Sequence, residues 1–413
     1  MTDPLETHAE SEPSLAPRTP LLAAPTVRLF EYRAETIPNR RFGQFDLAEW
    51  DRFYLPDPMA PLCDEPPVGA REFVEDDNRS AILPTPAATL DGQPFFLSVK
   101  GVGSPVDPFA HRPLDRVRAA DITEDAETRE RLSTPASSTG GMITGELWLR
   151  GSPYGGQGRP HALTALRVSE LADLTDLHGF RIAPVVKVAL LPEALERRLR
   201  TIYWYRRYRE RFVQELRLVP SNVRVYFHGR TTLGGDIGRI FDHFGIDTSA
   251  KSHRFQVNFV RSGSALLTLF ARTMSYDPAR DRYSGLDFSD VWLDKDAVIA
   301  PDGTAYFVDL EGIDPVRVDA ADVAEKLDDQ VFRSLYEFMF AYEQIDSERA
   351  RRFGVPGSRR RRFEALLLEA LAEDRYVRLR TERGSLVLGL RAGGGRERLN
   401  YEFPLIDHAH GEL

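Results

Sequence analysis

The segment of this sequence with the most chemical character runs over residues 289–312, SDVWLDKDAVIAPDGTAYFVDLEG. Its first half predicts a strand that ends at Asp296, and the return strand leads to Asp309. The Asp302-Gly303 pair between them predicts a tight turn. If the strands pair as a hairpin, both carboxylates converge at its open end, where they suit Mg²⁺ shared with a nucleotide phosphate. A solvated hairpin with charged ends is the alternative interpretation.

The spacing of these two aspartates matches a device of phosphoryl-transfer proteins. Kinase-like folds place an Asn or Asp at the end of the catalytic loop and a second Asp about 13 residues later, and the pair holds the metal ions. Asp296 and Asp309 are 13 residues apart. The spacing therefore favours a metal-dependent nucleotide site.

A lysine in an apolar strand is the second candidate for chemistry. Residues 93–102 (QPFFLSVKGV) predict a strand in which Lys100 is the only charge. Its ammonium can reach nucleotide phosphates if a carboxylate holds it, and Glu170 on a predicted helix can supply that carboxylate. A lysine at a sheet edge and a surface glutamate are the alternative interpretations.

A glycine-rich stretch, SPYGGQGRPHA, precedes that helix. Glycines let the backbone approach an anion closely, and a helix N-terminus favours negative charge. The spacing fits neither the P-loop nor the Rossmann fingerprint, so an ordinary turn before a helix is the alternative. With this stretch, four further candidates join the nucleotide-binding set: Gly155, Gly156, Gly158 and Arg159.

Hydrophobic periodicity predicts the elements that must position these residues. Strands are expected at 93–102, 143–150, 183–191, 223–228, 291–299 and 305–310. Helices are expected at 161–178, 192–219, 234–244, 261–275, 319–351 and 359–374. Strands dominate one half and helices the other, which favours an α+β fold with two lobes over a doubly wound sheet.

Composition divides the chain into four parts. Residues 1–26 are rich in Pro, Ser, Thr, Ala and Glu and predict a disordered segment. A strand-rich N-lobe is expected over 27–191, with irregular short strands to about residue 90 and an insertion at 103–142. A mainly helical C-lobe follows over 192–375, and a β-meander over 376–413.

Charge and cysteine content exclude some classes of protein. The single cysteine, Cys63, excludes an internal disulfide framework and a Cys-rich metal site. No apolar run approaches the roughly 20 residues that span a bilayer, and no signal peptide is visible, so we expect a cytoplasmic protein without a membrane partner. The net charge of −9 argues against a general nucleic-acid binder. The Arg/Tyr-rich stretch 197–212 keeps nucleic acid open as an alternative partner.

The order of these motifs resembles the selenoprotein O family of kinase-like proteins. That family has a lysine strand ending L-K-G-A-G, then T-P-Y-S-R, G-D-G-R, an L-R-S-S-I-R-E helix and G-I-P-T-T. SVKGVGSP around Lys100 is similar to the lysine strand, and residues 152–184 are similar to the segments after it. The family's H-G-V-M-N-T-D-N-M-S-I is similar to SDVWLDKDAVI, which puts Asp296 at its metal-binding Asn and Lys295 at the preceding Asp.

The resemblance implies a kinase-like two-lobed fold that uses ATP and Mg²⁺. Lys100 would contact the phosphates and Glu170 would hold it, while Asp296 and Asp309 would bind the metal at a β-hairpin. The catalytic group is the least defined. Asp290 lies six residues before Asp296 in the region of the catalytic loop and is the first candidate for the base, with Asp287 and Asp294 as alternatives.

Together these patterns predict an ATP- and Mg²⁺-dependent transferase that moves a phosphoryl or adenylyl group to a hydroxyl. The acceptor is a protein, a peptide or a small molecule. The first alternative is a catalytically inactive kinase-like protein that acts as a binding or scaffold module. The second is a nucleic-acid-associated protein that uses the Arg/Tyr-rich stretch.

Overall fold

The computed structural model describes residues 20–23, 26–42, 50–56, 63–77, 80–90, 92–102, 157–171, 181–199, 212–224, 237–287, 293–308, 310, 313–319, 321–322, 337–357, 359–374, 376–382, 385–391 and 398–403. The strands are β1 Thr26–Arg33, β2 Thr36–Pro38, β3 Arg52–Pro56, β4 Gly69–Asp77, β5 Ser80–Leu90, β6 Gln93–Lys100, β7 Gln157–Gly158, β8 Arg181–Ile182, β9 Val185–Leu190, β10 Phe212–Val219, β11 Ser275–Asp277, β12 Arg282–Asp287, β13 Ala297–Ile299, β14 Ala305–Phe307, β15 Asp314–Asp319, β16 Val377–Glu382, β17 Ser385–Arg391 and β18 Arg398–Phe403. The helices are α1 Arg159–Leu171, α2 Glu193–Leu199, α3 Ile237–Phe244, α4 Ser249–Thr273, α5 Leu293–Asp296, α6 Glu337–Phe353 and α7 Arg359–Ala370.

A large antiparallel sheet dominates the described part of the chain, with the strand order β2-β9-β10-β6-β5-β4-β1-β3 and β7 paired to β10. The sheet curls so that its last strand, β3, comes close to β9 and β10 near its other end. The side chain of Gln214 on β10 accepts from the backbone N–H of Tyr54 on β3 (2.8 Å) and donates to the carbonyl of Tyr54 (2.6 Å). Close to this contact, Lys187 on β9 pairs with Asp51 just before β3 (2.6 Å). These bonds satisfy polar groups that an open edge would leave exposed.

Side chains of the curled sheet alternate between two environments, as the strand period of two requires. An apolar core inside the curl includes Leu29, Phe73, Leu97 and Leu216. The opposite face of β9 and β10 packs on helix α1. On β10, Val213 belongs to the outer core, whereas Leu216 and Leu218 belong to the core inside the curl.

A second apolar core forms between the sheet and the helices. The long helix α4 begins at Thr248, whose hydroxyl accepts from the backbone N–H of Lys251, and it packs against α6 and α7. Phe259 of α4 and Phe307 of β14 both contact Phe338 of α6. The small β13–β14–β8 sheet lies in this core, which fixes the hairpin between helices and the large sheet.

A buried polar network ties α6 to α4. Arg349 is 2% exposed and donates to the hydroxyl of Ser252 (2.9 Å) and to the amide oxygen of Gln256 (2.8 Å). The amide nitrogen of Gln256 donates to Asp346 (2.8 Å), whose carboxylate lies 3.6 Å from Arg349. These bonds compensate part of the cost of burying the two charges.

The structure confirms an α+β fold, while the kinase-like two-lobed arrangement stays a prediction. Several local predictions agree with the described elements: the strand at 93–102, the helices at 234–244 and 359–374, and three antiparallel strands between 377 and 403. Residues 143–150 and 103–142, the expected strand and insertion, lie outside the described residues.

The helix predicted over 192–219 was wrong in its second part. Residues 193–199 are helical, but residues 212–219 form β10, which is hydrogen-bonded between β9 and β6. The expected lobe boundary at residue 191 therefore falls within one sheet. The sequence over 27–90, where irregular short strands were expected, forms the five strands β1–β5. They are paired within the large sheet, where cross-strand neighbours stabilise segments whose proline content weakens the local pattern.

Two further elements differ from their predictions. Residues 293–296 form a helical turn where a strand was expected, and residues 314–319 form the strand β15. At the N-terminus, disorder was expected to residue 26. Leu22 instead exchanges two hydrogen bonds with the side chain of Asn222 (2.6 and 3.2 Å), and the carbonyl of Pro20 lies 3.1 Å from the ring of His243.

Candidate functional site

Lys100 lies at the end of β6 and is 3% exposed. In the sheet register its direct neighbours are Glu215 on β10 and Ser80 on β5. Side chains of directly opposite residues in an antiparallel pair project from the same face, with Cβ atoms about 5 Å apart. The buried carboxylate that neighbours Lys100 in the sheet is therefore that of Glu215, which is 1% exposed.

Arg217, two residues after Glu215, projects from the same face of β10 and lies opposite Ser98. Its guanidinium donates to the backbone carbonyl of Val308 and to the hydroxyl of Ser80 (3.3 Å). Val308 directly follows β14, so this contact joins the hairpin to the face of the sheet that carries Lys100.

The open end of the hairpin lies at this contact. β13 and β14 pair with Ala297 opposite Phe307, and the N–H of Val308 donates to the carbonyl of Asp296 (2.7 Å). The hairpin expected from the sequence is thus present, and Asp296 lies at its open end with a side chain that is 1% exposed. Asp309 follows Val308 in the chain and lies outside the described residues.

The segment after β10 fixes the other side of the hairpin. The N–H of Ile299 donates to the carbonyl of Val223 (2.7 Å), and the hydroxyl of Ser221 donates to the carbonyl of Ile299 (2.6 Å). The next residue, Arg224, forms an ion pair with Asp76 of β4 at 3.2 Å, with side chains 10% and 3% exposed. The strands around the hairpin therefore carry charge at several buried positions.

Six ionisable residues in these elements are at most 9% exposed, and their formal charges balance as three cations and three anions: Lys100, Arg217, Arg224, Asp76, Glu215 and Asp296. Burial of a charge costs several kcal/mol unless partners compensate it. Buried charges therefore occur together with charges of the opposite sign, as in this set.

The glycine-rich segment meets the same region. β7 pairs with Phe212 and Val213 of β10, on the side of β10 where β6 ends at Lys100. Gly158 belongs to β7, and Arg159 is the first residue of α1. The N-terminus of α1 therefore begins next to the edge of β10 that extends beyond Lys100. Gly155 and Gly156 lie outside the described residues, as does Asp290.

Glu170 does not lie next to Lys100 in the sheet. It accepts a hydrogen bond from the backbone N–H of Arg40 (3.2 Å), just beyond β2. The strands β9 and β10 lie between β2 and β6, which is three inter-strand spacings or about 14 Å. The structure thus places Glu170 at the other side of this part of the sheet and offers Glu215 as a second candidate partner for Lys100.

Sequence reasoning missed Glu215 and Arg217 because it assigned them to a helix. A signal was present, since in FVQELRLV the positions Val213, Glu215, Arg217 and Val219 alternate with Gln214, Leu216 and Leu218. That period of two is typical of a strand with two different faces.

The predicted metal ligands are carboxylates, which are oxygen ligands of the type that Mg²⁺ prefers. Mg²⁺ usually keeps several waters and takes one or two carboxylates together with phosphate oxygens. Asp296 supplies one buried carboxylate. Asp309 directly follows Val308, whose N–H donates to the backbone carbonyl of Asp296. The described part of the chain contains no group of three or more His, Cys, Asp or Glu residues placed to hold an ion.

Comparison of the chain with models of protein families, with curated proteins and with solved structures finds no match. Among the helices that the structure describes, none is long and apolar enough to cross a bilayer.

Proposed function

We propose that this protein is an ATP- and Mg²⁺-dependent transferase of kinase-like fold that moves a phosphoryl or adenylyl group to a hydroxyl on a protein, a peptide or a small molecule. One observation supports the proposal above the others. The lysine strand and the acidic hairpin are about 200 residues apart in the sequence, yet Arg217 joins Val308 of the hairpin to the face that carries Lys100. Nucleotide transfer needs a cation for phosphates and carboxylates for a metal in one place.

The residues divide the task by their chemistry. Lys100 contacts the phosphates as a compact point charge, and Glu215, its neighbour in the sheet register, orients its ammonium. The backbone at Gly155, Gly156 and Gly158 and the N-terminus of α1 at Arg159 offer N–H groups to the phosphates. These groups position and neutralise the nucleotide.

The metal site and the base complete the proposal. Asp296 and Asp309 would hold Mg²⁺, which neutralises charge on the phosphates when it is bound. Asp290 is the candidate that accepts the proton of the attacking hydroxyl. Preorganised charges in a buried site need little reorganisation during the reaction, which is why such a site can accelerate transfer.

The first alternative, a catalytically inactive kinase-like protein that acts as a binding or scaffold module, also has an observation in its favour. Lys100, Glu215 and Asp296 are each at most 3% exposed, and the lysine lies directly opposite the glutamate in the sheet. Buried charges that face each other have a structural role that needs no turnover. The nucleic-acid alternative rests on residues 197–212, of which 200–211 lie outside the described residues, and it stays a prediction.

The first experiment measures binding of ATP by thermal shift and calorimetry, with and without Mg²⁺. The variants are Asp309→Asn and the double variant Lys100→Met/Glu215→Gln, which removes both charges so that none is left unpaired. Lys251→Met is the matched control, because Lys251 is 59% exposed on α4. A ligand at 100 times its Kd stabilises the folded state by about 2.7 kcal/mol. We expect a Mg²⁺-dependent shift in the native protein and in the control only.

Labelled ATP then separates the reactions. Transfer of label from the γ-phosphate to a protein or peptide acceptor indicates phosphoryl transfer, and transfer from the α-phosphate indicates adenylyl transfer. Binding without transfer favours the inactive module. A native protein that shows no Mg²⁺-dependent binding of ATP refutes the proposal.

A further inference from the structure

A cavity of about 410 Å³ opens on the small β11–β12–β15 sheet, and its described lining shares no residue with the site proposed for ATP. Its described lining residues are Asp277, Arg280, Arg282, Ser284 and Arg317. Three of these five residues are arginines, in a chain whose net charge is −9. A concave surface of locally positive charge concentrates anions from solution.

The register of the sheet places these side chains on one face. Ser284 on β12 lies opposite Arg317 on β15, and Arg282 lies opposite Asp319. Residues between them, including Tyr283 and Val318, are buried in the apolar core. Because successive residues of a strand alternate, the polar set projects to the exposed face as a group.

The carboxylates on this face compensate only part of its charge. Arg280 pairs with Asp277 (2.9 Å), and the Nε of Arg282 donates to Asp319 (2.7 Å). Among the described residues, no carboxylate lies within ion-pair distance of Arg317, which is exposed. Arg282 keeps four N–H donors besides its bond to Asp319, since a guanidinium has five. Positive charge and donors thus remain available at the cavity.

A hydroxyl adds a directed donor. The Oγ of Ser275 lies 2.9 Å from the Oγ of Ser284 and 3.4 Å from the carbonyl of Ser284. When Ser275 donates in this pair, the hydroxyl hydrogen of Ser284 is available to a third group. Ser284 and Arg317 are direct neighbours on the paired strands β12 and β15, so this hydroxyl and the guanidinium lie on the same face of the sheet.

We infer that this cavity binds the phosphate group of a small phosphate ester, through Arg317, Arg282 and Ser284. Planar guanidinium groups donate two parallel hydrogen bonds to a phosphate, and a dianion gains more than a carboxylate from the surplus positive charge. The volume lies in the range of ligand pockets, so the rest of a small molecule fits beside its phosphate. The inference does not rest on the transferase proposal, because it uses neither Lys100 nor the hairpin.

The test is calorimetric titration with inorganic phosphate and with glycerol phosphate, in the absence of ATP and Mg²⁺ and at constant ionic strength. Acetate serves as the carboxylate probe. The variants are Arg317→Gln and Ser284→Ala, both at exposed positions. Arg254→Gln is the matched control, because Arg254 is an exposed arginine on α4 that does not belong to the described lining of the cavity.

We expect phosphate and its ester to bind the native protein and the Arg254 variant alike, and Arg317→Gln to bind at least about tenfold more weakly. Acetate should bind more weakly than phosphate. Equal binding by the Arg317 and Arg254 variants overturns the inference. So does binding that is lost in Lys100→Met/Glu215→Gln and kept in Arg317→Gln, because phosphate then occupies the other site. A native protein that binds phosphate but shows no Mg²⁺-dependent binding of ATP refutes only the transferase proposal.

Discussion

Replacing Gly303 by alanine tests how the β13–β14 hairpin is held against helix α4. Gly303 occupies the hairpin turn with a φ of +91°, and its N–H donates to the carbonyl of Ala300 (2.9 Å). A Cβ at this position would lie 2.2 Å from the backbone carbonyl oxygen of Phe255 in α4. The neighbouring carbonyl of Asp302 accepts from the amide of Asn258 on the same helix (2.9 Å). The turn therefore packs directly on the backbone of α4.

The expected loss of stability has two parts. A non-glycine residue at positive φ costs about 1–2 kcal/mol. To bring the Cβ of residue 303 to 3.0 Å from the oxygen of Phe255, the turn or the helix must move by at least about 0.8 Å. That movement weakens the bond between Asn258 and Asp302, which contributes about 1 kcal/mol, and disturbs packing around it. We expect a total of about 3–4 kcal/mol.

A second glycine separates the cost of a positive φ from the cost of the contact between the new Cβ and α4. Gly92 has a φ of +76°, and a Cβ there would meet nothing within 4 Å. Gly92→Ala should therefore lose only the conformational part, about 1–2 kcal/mol. Urea denaturation of both variants, followed by far-UV circular dichroism, measures the difference. We expect Gly303→Ala to be less stable than Gly92→Ala by about 2 kcal/mol. Equal losses would show that the turn does not pack on α4 as described.

The remaining predictions concern two ion pairs. Burial raises the pKa of Asp51, but hydrogen bonds from Lys187 and Thr36 outweigh it and hold this pKa below its ordinary value of 3.8. A carboxyl with a lowered pKa stabilises the fold above pH 3.8 and loses that contribution as the pH falls through its folded pKa. The native protein should thus lose more thermal stability than Asp51→Asn between pH 5 and pH 3, and parallel curves would contradict this. Arg349→Met leaves the carboxylate of Asp346 buried and should cost about 3–5 kcal/mol in urea denaturation, whereas Arg349→Met/Asp346→Asn should recover most of the loss. A double variant as unstable as the single one would count against a charge effect.

Local sequence patterns predicted the elements whose helical spacing, turn residues or β-rich composition is contained in a few consecutive residues. The helix α3 and the helix α7 follow from apolar residues at helical spacing, and the turn at Gly303 follows from Asp-Gly chemistry between two apolar runs. The strand that ends at Lys100 follows from β-rich composition after a turn signal. In each case the decisive interactions are within a few residues, so a single sequence contains them.

Long-range pairing decided the rest of the fold. The residues of β10 follow a stretch dense in arginine and tyrosine, and we predicted that the helix continues through them. Hydrogen bonds to β9 and β6 hold them in a strand. Strand preference depends on cross-strand neighbours and burial more than on the residue itself. The same reason explains why the short, irregular strands expected over residues 27–90 are five paired strands of the large sheet.

The sequence by itself determined which residues have suitable chemistry, namely Lys100 in an apolar strand and Asp296 at the end of a predicted strand. Only the tertiary structure decided what surrounds them. Glu215 became the neighbour of Lys100 through the register between β6 and β10, and Arg217 met Val308 through the packing of the hairpin on the sheet. A register between strands more than 100 residues apart depends on the cooperative fit of whole faces, and no local pattern of residues encodes it.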